Sequence, residues 1–135
     1  MINSKNLYTA NPQEVFDFVV EKMKQQNWPS RSPMSGACAY NGPSGRHCAA
    51  GWCITDLHIP DECNSGSWGN IRSHLFPDRD WCATDDLLMD LQVAHDDAEP
   101  APEAHFLQEF LTWAKRVALK YHLNSEKCNV EENQS

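Results

Sequence analysis

Apolar side chains recur at helical spacing in three stretches of the chain. In the first, Val15, Phe16, Val19, Val20 and Met23 share one face, while Lys22, Lys24 and Gln25 suit the other. Asn11-Pro12-Gln13-Glu14 reads as the start of this helix. Asn can cap, Pro fits the first turn, and Glu stands where a capping box needs it. Pro29 disfavours helical backbone at Trp28, so the helix is expected to stop near Asn27. The second stretch carries Leu87, Leu88, Leu91, Ala94 and His95 on one face, behind the start signal Thr84-Asp85-Asp86. The third carries Phe106, Leu107, Phe110, Leu111, Ala114, Val117, Ala118 and Tyr121. Lys115, Arg116 and Lys120 come late in it, where a helix favours cations, and Asn124 is a candidate cap.

The remaining pattern is broken. Residues 29–43 are rich in Pro, Ser and Gly around one apolar patch, Ala37-Cys38-Ala39-Tyr40. Asn41-Gly42-Pro43-Ser44-Gly45 is a turn signal. A β-hairpin is expected to join residues 37–40 to a segment within residues 48–55. A helical turn at Cys48-Ala49-Ala50-Gly51 is the alternative, because Ala-Ala favours helix. Residues 56–83 read as a long irregular loop interrupted by Pro60, Gly66, Gly69 and Pro77, with Ile71 to Phe76 its one short helical candidate. So long a loop needs an anchor, either Trp68, Phe76 and Trp81 or a metal. The expected fold is α+β: three main helices packed with a short two-stranded β-hairpin, the first and third helices covering it. A loose arm over residues 1–10 and a polar flexible tail over residues 125–135 complete the single expected domain.

Composition narrows the function classes. A chain of 135 residues suits one domain. An apolar fraction of 41% and five Trp argue against disorder. No apolar run approaches the roughly 20 residues of a membrane span, and Met1 to Pro12 lack the apolar core of a signal peptide. A cytoplasmic location and no membrane association are expected. The net charge is −8, and residues 78–103 carry all of it, with nine acids against Arg79. Nucleic acid needs clustered Lys and Arg, so no direct nucleic-acid binding is expected. A basic protein partner fits, with Asp85, Asp86, Asp90 and Asp97 as the partner-facing residues; a merely solvated helix face is the plainer reading.

Six Cys in an exported chain would suggest three disulfides. Without an export signal, reduced thiols or a metal site are expected instead. Cys48, Cys53, His58 and Cys63 follow C-x4-C-x4-H-x4-C, and thiolates with an imidazole are what a structural zinc takes. The spacing is superficially similar to a zinc knuckle but departs from its C-x2-C opening. The plainer reading makes Cys38, Cys48 and Cys53 small buried hydrophobes, with no cofactor. A thiol enzyme, hydrolase or transferase, would use Cys48 as nucleophile, His95 as base, and Asp96 or Asp90 to orient it; a core histidine is the alternative for His95. Tyr40, Arg46 and Trp52, in a half also holding Trp28, Trp68, Trp81, Arg31 and Arg72, would suit a small planar anion. Packing of a loop-rich core is the alternative there. No P-loop, G-x-G-x-x-G, H-E-x-x-H or G-x-S-x-G occurs, which argues against phosphoryl-transfer and dinucleotide enzymes.

Three patches carry a resemblance: Cys38-Ala39-Tyr40 with Cys48-Ala49-Ala50-Gly51-Trp52-Cys53-Ile54, then Ile59-Pro60-Asp61-Glu62, then Leu91-Gln92-Val93-Ala94-His95-Asp96. The chain resembles small proteins encoded by bacteriophages and prophages that share Cys-x-Tyr, Cys-Ala-x-Gly-x-x-Ile and Leu-Gln-x-x-His-Asp motifs. It departs from them in a longer stretch between Gly51 and Pro60 and in the Gly- and Trp-containing residues 63–70. The resemblance implies an accessory protein in an infected bacterial cytoplasm, acting on a host or anti-phage defence protein. The amphipathic third helix is compatible with a monomer or a homodimer.

Overall fold

The start signal at Asn11 works as its residues dictate. In the computed structural model, which describes residues 1–30, 39–61, 64, 66–98 and 101–129, helix α1 runs over Pro12–Gln26. The Asn11 side chain accepts from the Glu14 N–H at 2.9 Å, and the Glu14 carboxylate accepts from the Asn11 N–H at 3.2 Å. This reciprocal pair satisfies two donors that a helix end leaves open. Asn27 ends the helix in the left-handed region, at φ 65°.

Three further helices follow: α2, Trp68–Leu75; α3, Ala83–Ala98; and α4, Phe106–Lys120. The fold is therefore all-helical among the described residues, and the expected α+β fold with its β-hairpin is overturned. The reason lies in where the backbone donors go. Ala39 N–H donates to Ser30 O at 3.1 Å and Tyr40 N–H to Asn64 O at 3.0 Å, so neither is offered to residues 48–55. The Ala-Ala-Gly run instead coils, and Ala50–Ile54 is a 3-10 helix with four of its five residues buried. Gly51 fits there because a Cβ would stand 2.5 Å from the Tyr40 carbonyl oxygen. Residues 37 and 38 of the expected first strand lie outside the described residues.

α3 and α4 form the most extensive helix pair, and α1 lies against both. Phe16, Leu88, Leu91, Phe106 and Phe110 are among the side chains that fill the space between them. α4 closes through His122 at φ 56°, with Leu123 N–H donating back to Ala118 O at 2.8 Å. Asn124, the expected cap, does something else: its backbone N–H and C=O clasp the Gln13 side chain, tying the end of α4 to the start of α1.

Residues 1–10 are not loose. They fold as successive turns that bury Leu7 and Ile2, and Ser4 donates to the Asp56 carboxylate from both its N–H and its hydroxyl. The start of the expected flexible tail is a short 3-10 helix, Glu126–Cys128, with Cys128 buried; residues 130–135 lie outside the described residues. No described helix is long and apolar enough to cross a membrane.

Candidate functional site

The acidic segment divides into a buried anchor and an exposed stripe. Asp85 is the anchor. It stands at the third position of α3, and its Oδ2 accepts from the Cys82 N–H at 3.0 Å, one half of a capping box. The same oxygen accepts from Arg72 Nη2 of α2 at 3.0 Å. Its Oδ1 accepts from Tyr8 Oη at 2.7 Å and Trp68 Nε1 at 3.1 Å. Arg72 also donates to the carbonyls of Arg79 and Asp80, which fixes the loop between α2 and α3. Both partners of the ion pair are buried, Arg72 at 5% exposure and Asp85 at 0%. Burial alone would raise the Asp85 pKa, but the bonds from Arg72, Tyr8, Cys82 and Trp68 hold it below the usual carboxylate value. Asp85, expected to face a partner, therefore faces the core.

Asp86, Asp90 and Asp97 recur at helical spacing on α3, with Val93 among them. Asp86 and Asp97 are exposed, and Val93 is 47% exposed. Asp86 accepts from the Trp81 indole N–H at 2.8 Å. Asp90 is half-buried, and its Oδ2 accepts from Tyr121 Oη and from Lys120 Nζ of α4 at 2.8 Å. Beside the stripe, Val93, Ala94, Trp113 and Val117 line a shallow furrow of about 210 Å³ between α3 and α4, together with Asp90, Arg116 and Lys120. Two further exposed acids, Asp78 and Asp80, line a hollow of about 620 Å³ in the α2–α3 loop. The furrow was invisible from composition. Its sequence signal was Val93, an apolar residue on a polar stripe.

Of the thiol-enzyme residues, Cys48 and His95 are buried in the core, while Asp96, beside His95, is exposed. His95 Nε2 accepts from the Ser30 N–H at 3.2 Å, which leaves Nδ1 as the protonated nitrogen, 3.1 Å from Asp96 Oδ1. Gln92 bridges onward, donating to Asp96 at 2.9 Å and accepting from the Ala50 N–H at 3.1 Å. The Cys48 thiol lies within hydrogen-bond reach of Gln92. However, the basic nitrogen of His95 is turned to a backbone amide. Burial pushes the Cys48 thiol far above the usual range, and the Asp96 charge adds to this. The reactive form of Cys is the thiolate, so this arrangement holds a protonated thiol at neutral pH. Its structural effect is plain: it fastens the Ser30 and Cys48 loops to α3.

The four proposed zinc ligands are described in part. Cys48 and Cys53 are fully buried free thiols, His58 is exposed, and Cys63 lies outside the described residues. Among the described residues, no three His, Cys, Asp or Glu side chains gather in a metal-like cluster. Cys82 and Cys128 are also free thiols, the former exposed.

Of the expected ligand-binding set, Arg46 and Trp52 line one cleft together with Trp28. Tyr40 does not join them; its ring is buried against Trp68 at 6.4 Å between centroids. Compared with known proteins, the chain matches no family model, no curated protein and no solved structure.

Proposed function

We propose that this chain acts by binding another protein through the exposed stripe of α3, as a phage accessory protein that blocks a host or anti-phage defence protein. The observation that carries this is Val93, 47% exposed within the row Asp86, Asp90, Asp97 and next to the furrow. Protein contact surfaces combine an apolar centre with a polar rim; here Arg116 and Lys120 of α4 line the furrow, while the exposed Asp86 and Asp97 of α3 favour basic groups on the partner and speed its approach. The buried Arg72–Asp85 pair supports the surface by holding the start of α3 and the loop before it in one arrangement. The phage origin rests on the motif resemblance at residues 38–40, 48–54, 59–62 and 91–96.

Site-specific photo-crosslinking tests the assignment. A photoreactive residue placed at Val93 is expected to trap a discrete protein partner in phage-infected cells. The same group at Leu119, exposed at 78% on α4, serves as the comparison. Equal trapping from both positions, or none from Val93, removes α3 as the contact face.

A further inference from the structure

A cleft of about 390 Å³ opens between the end of α1, the turn at Ser44–Gly45 and the 3-10 helix Ala50–Ile54. Its wall includes Gln26, Trp28, Ser44, Gly45, Arg46 and Trp52. The volume falls in the range of small-molecule sites, which starts at about 300 Å³. We infer that this cleft is a binding site for a planar organic anion: an aromatic ring carrying a phosphate, of the nucleoside-monophosphate kind.

Two observations point there together. First, the wall is aromatic and cationic on a chain whose net charge is −8. Arg46 is the one charged residue among those lining the cleft. Its guanidinium lies 5.6 Å from the centre of the Trp28 ring. Indole faces take a flat ring by stacking, and a guanidinium takes phosphate oxygens through its fork of N–H groups.

Second, the wall is held in place by bonds the ligand need not make. The Gln26 amide donates to His47 O at 2.9 Å and accepts from the His47 N–H at 2.8 Å. The Arg46 carbonyl accepts from the Gly42 N–H at 2.8 Å. His47 Nδ1 pairs with Tyr40 O at 2.8 Å, and its ring meets Trp52 edge-on at 4.6 Å. A site fixed in advance loses little freedom on binding. At its rim Ser44, at φ 61°, and Gly45, at φ 74°, both adopt the left-handed region. For Ser this is a strained conformation, of the sort found at ligand sites.

The cleft shares no residue with the α3 stripe, so this inference and the protein-binding reading stand or fall separately.

The test is a pair of titrations on the full chain with adenosine monophosphate, guanosine monophosphate, adenosine and inorganic phosphate. By calorimetry, at least one monophosphate is expected to saturate a single site with Kd below about 1 mM. Adenosine and phosphate alone bind more weakly, because each satisfies half of the wall. Arg46→Met is expected to weaken the monophosphate about tenfold, the loss of one charge-assisted contact. By NMR, the indole N–H signals of Trp28 and Trp52 shift during the titration, while those of Trp68, Trp81 and Trp113 stay. The NMR readout uses the unaltered chain, so it holds even if Arg46→Met folds poorly. Absence of saturation by either monophosphate to about 10 mM overturns the inference. So does a shift confined to the other three indoles, or equal affinity in a folded Arg46→Met variant.

Discussion

Replacing Asp85 with Asn isolates the anchor of the acidic segment, because the change removes a charge and leaves the shape. The carboxylate accepts four hydrogen bonds, two at each oxygen. An amide in its place keeps one oxygen for Tyr8 and Trp68. Its NH₂ then meets the donors of Arg72 and Cys82, so two buried donors lose their acceptor. At about 1–3 kcal/mol for each such loss, the cost is about 2–6 kcal/mol. Breaking one side of a buried ion pair is worth about 3–5 kcal/mol by independent precedent, and the two figures agree. With a urea dependence of about 2 kcal/mol per molar, the unfolding midpoint should fall by about 2 M. Tyr8→Phe removes one donor from a carboxylate that keeps three, and should cost only about 1 kcal/mol, or about 0.5 M. The pH sign follows from the lowered Asp85 pKa. Its stabilisation is complete above the ordinary carboxylate value near 4 and is lost as pH falls through the folded value. The gap between wild type and Asp85→Asn should therefore be constant from pH 7 to about 5 and close in acid. A midpoint shift below about 0.5 M for Asp85→Asn, or a gap that closes already near pH 6, refutes this account of the anchor.

Other outcomes follow from single contacts. Asn11→Ala removes the cap of α1 and should cost about 1 kcal/mol in the same urea assay. Gly51→Ala forces a methyl toward the Tyr40 carbonyl and should destabilise by about 1–3 kcal/mol, more than the gain from helix propensity returns. An alkylating probe at neutral pH should label Cys82 far faster than Cys48, Cys53 or Cys128, the last with its pKa pushed up to about 11, mainly by burial. Peptide mapping reads the order, and fast labelling of Cys48 would restore the thiol-enzyme reading. NMR titration of His47 should give a midpoint below 6.5, because burial disfavours the imidazolium. The stability this contributes is present above that value and declines as pH falls through the folded midpoint.

The helices were legible where a local rule decides them. Asn11, Pro12 and Glu14 act over three residues, and the structure keeps every part of that signal. The stripe of α4 was equally readable, because its apolar period is sustained for several turns. The hairpin failed because β pairing depends on distant partners. Ala39 and Tyr40 found theirs at Ser30 and Asn64, and no local pattern announces such bonds. Asp85 misled for a related reason. It resembles Asp86 in sequence, but Arg72 reaches it from another helix. The site residues show the same division. Arg46 directly follows the turn that the Gly and Pro signals did mark and lines one cleft with Trp52, whereas Tyr40, six residues before Arg46, is drawn into the core by Trp68. His95 and Asp96 are neighbours in sequence, yet only the fold shows that the His95 base is occupied by the Ser30 amide.

The protein-binding claim is tested most directly by paired capture from infected bacterial lysate. Wild type is compared with a variant carrying Asp86→Asn, Val93→Glu and Asp97→Asn, three exposed changes that leave the Arg72–Asp85 anchor intact. Quantitative mass spectrometry is read at low and high salt. The account predicts a partner with a basic surface, retained by wild type, lost by the variant, and weakened as salt screens the charges. The same proteins recovered at the same level from both baits, with the variant folded, would contradict it.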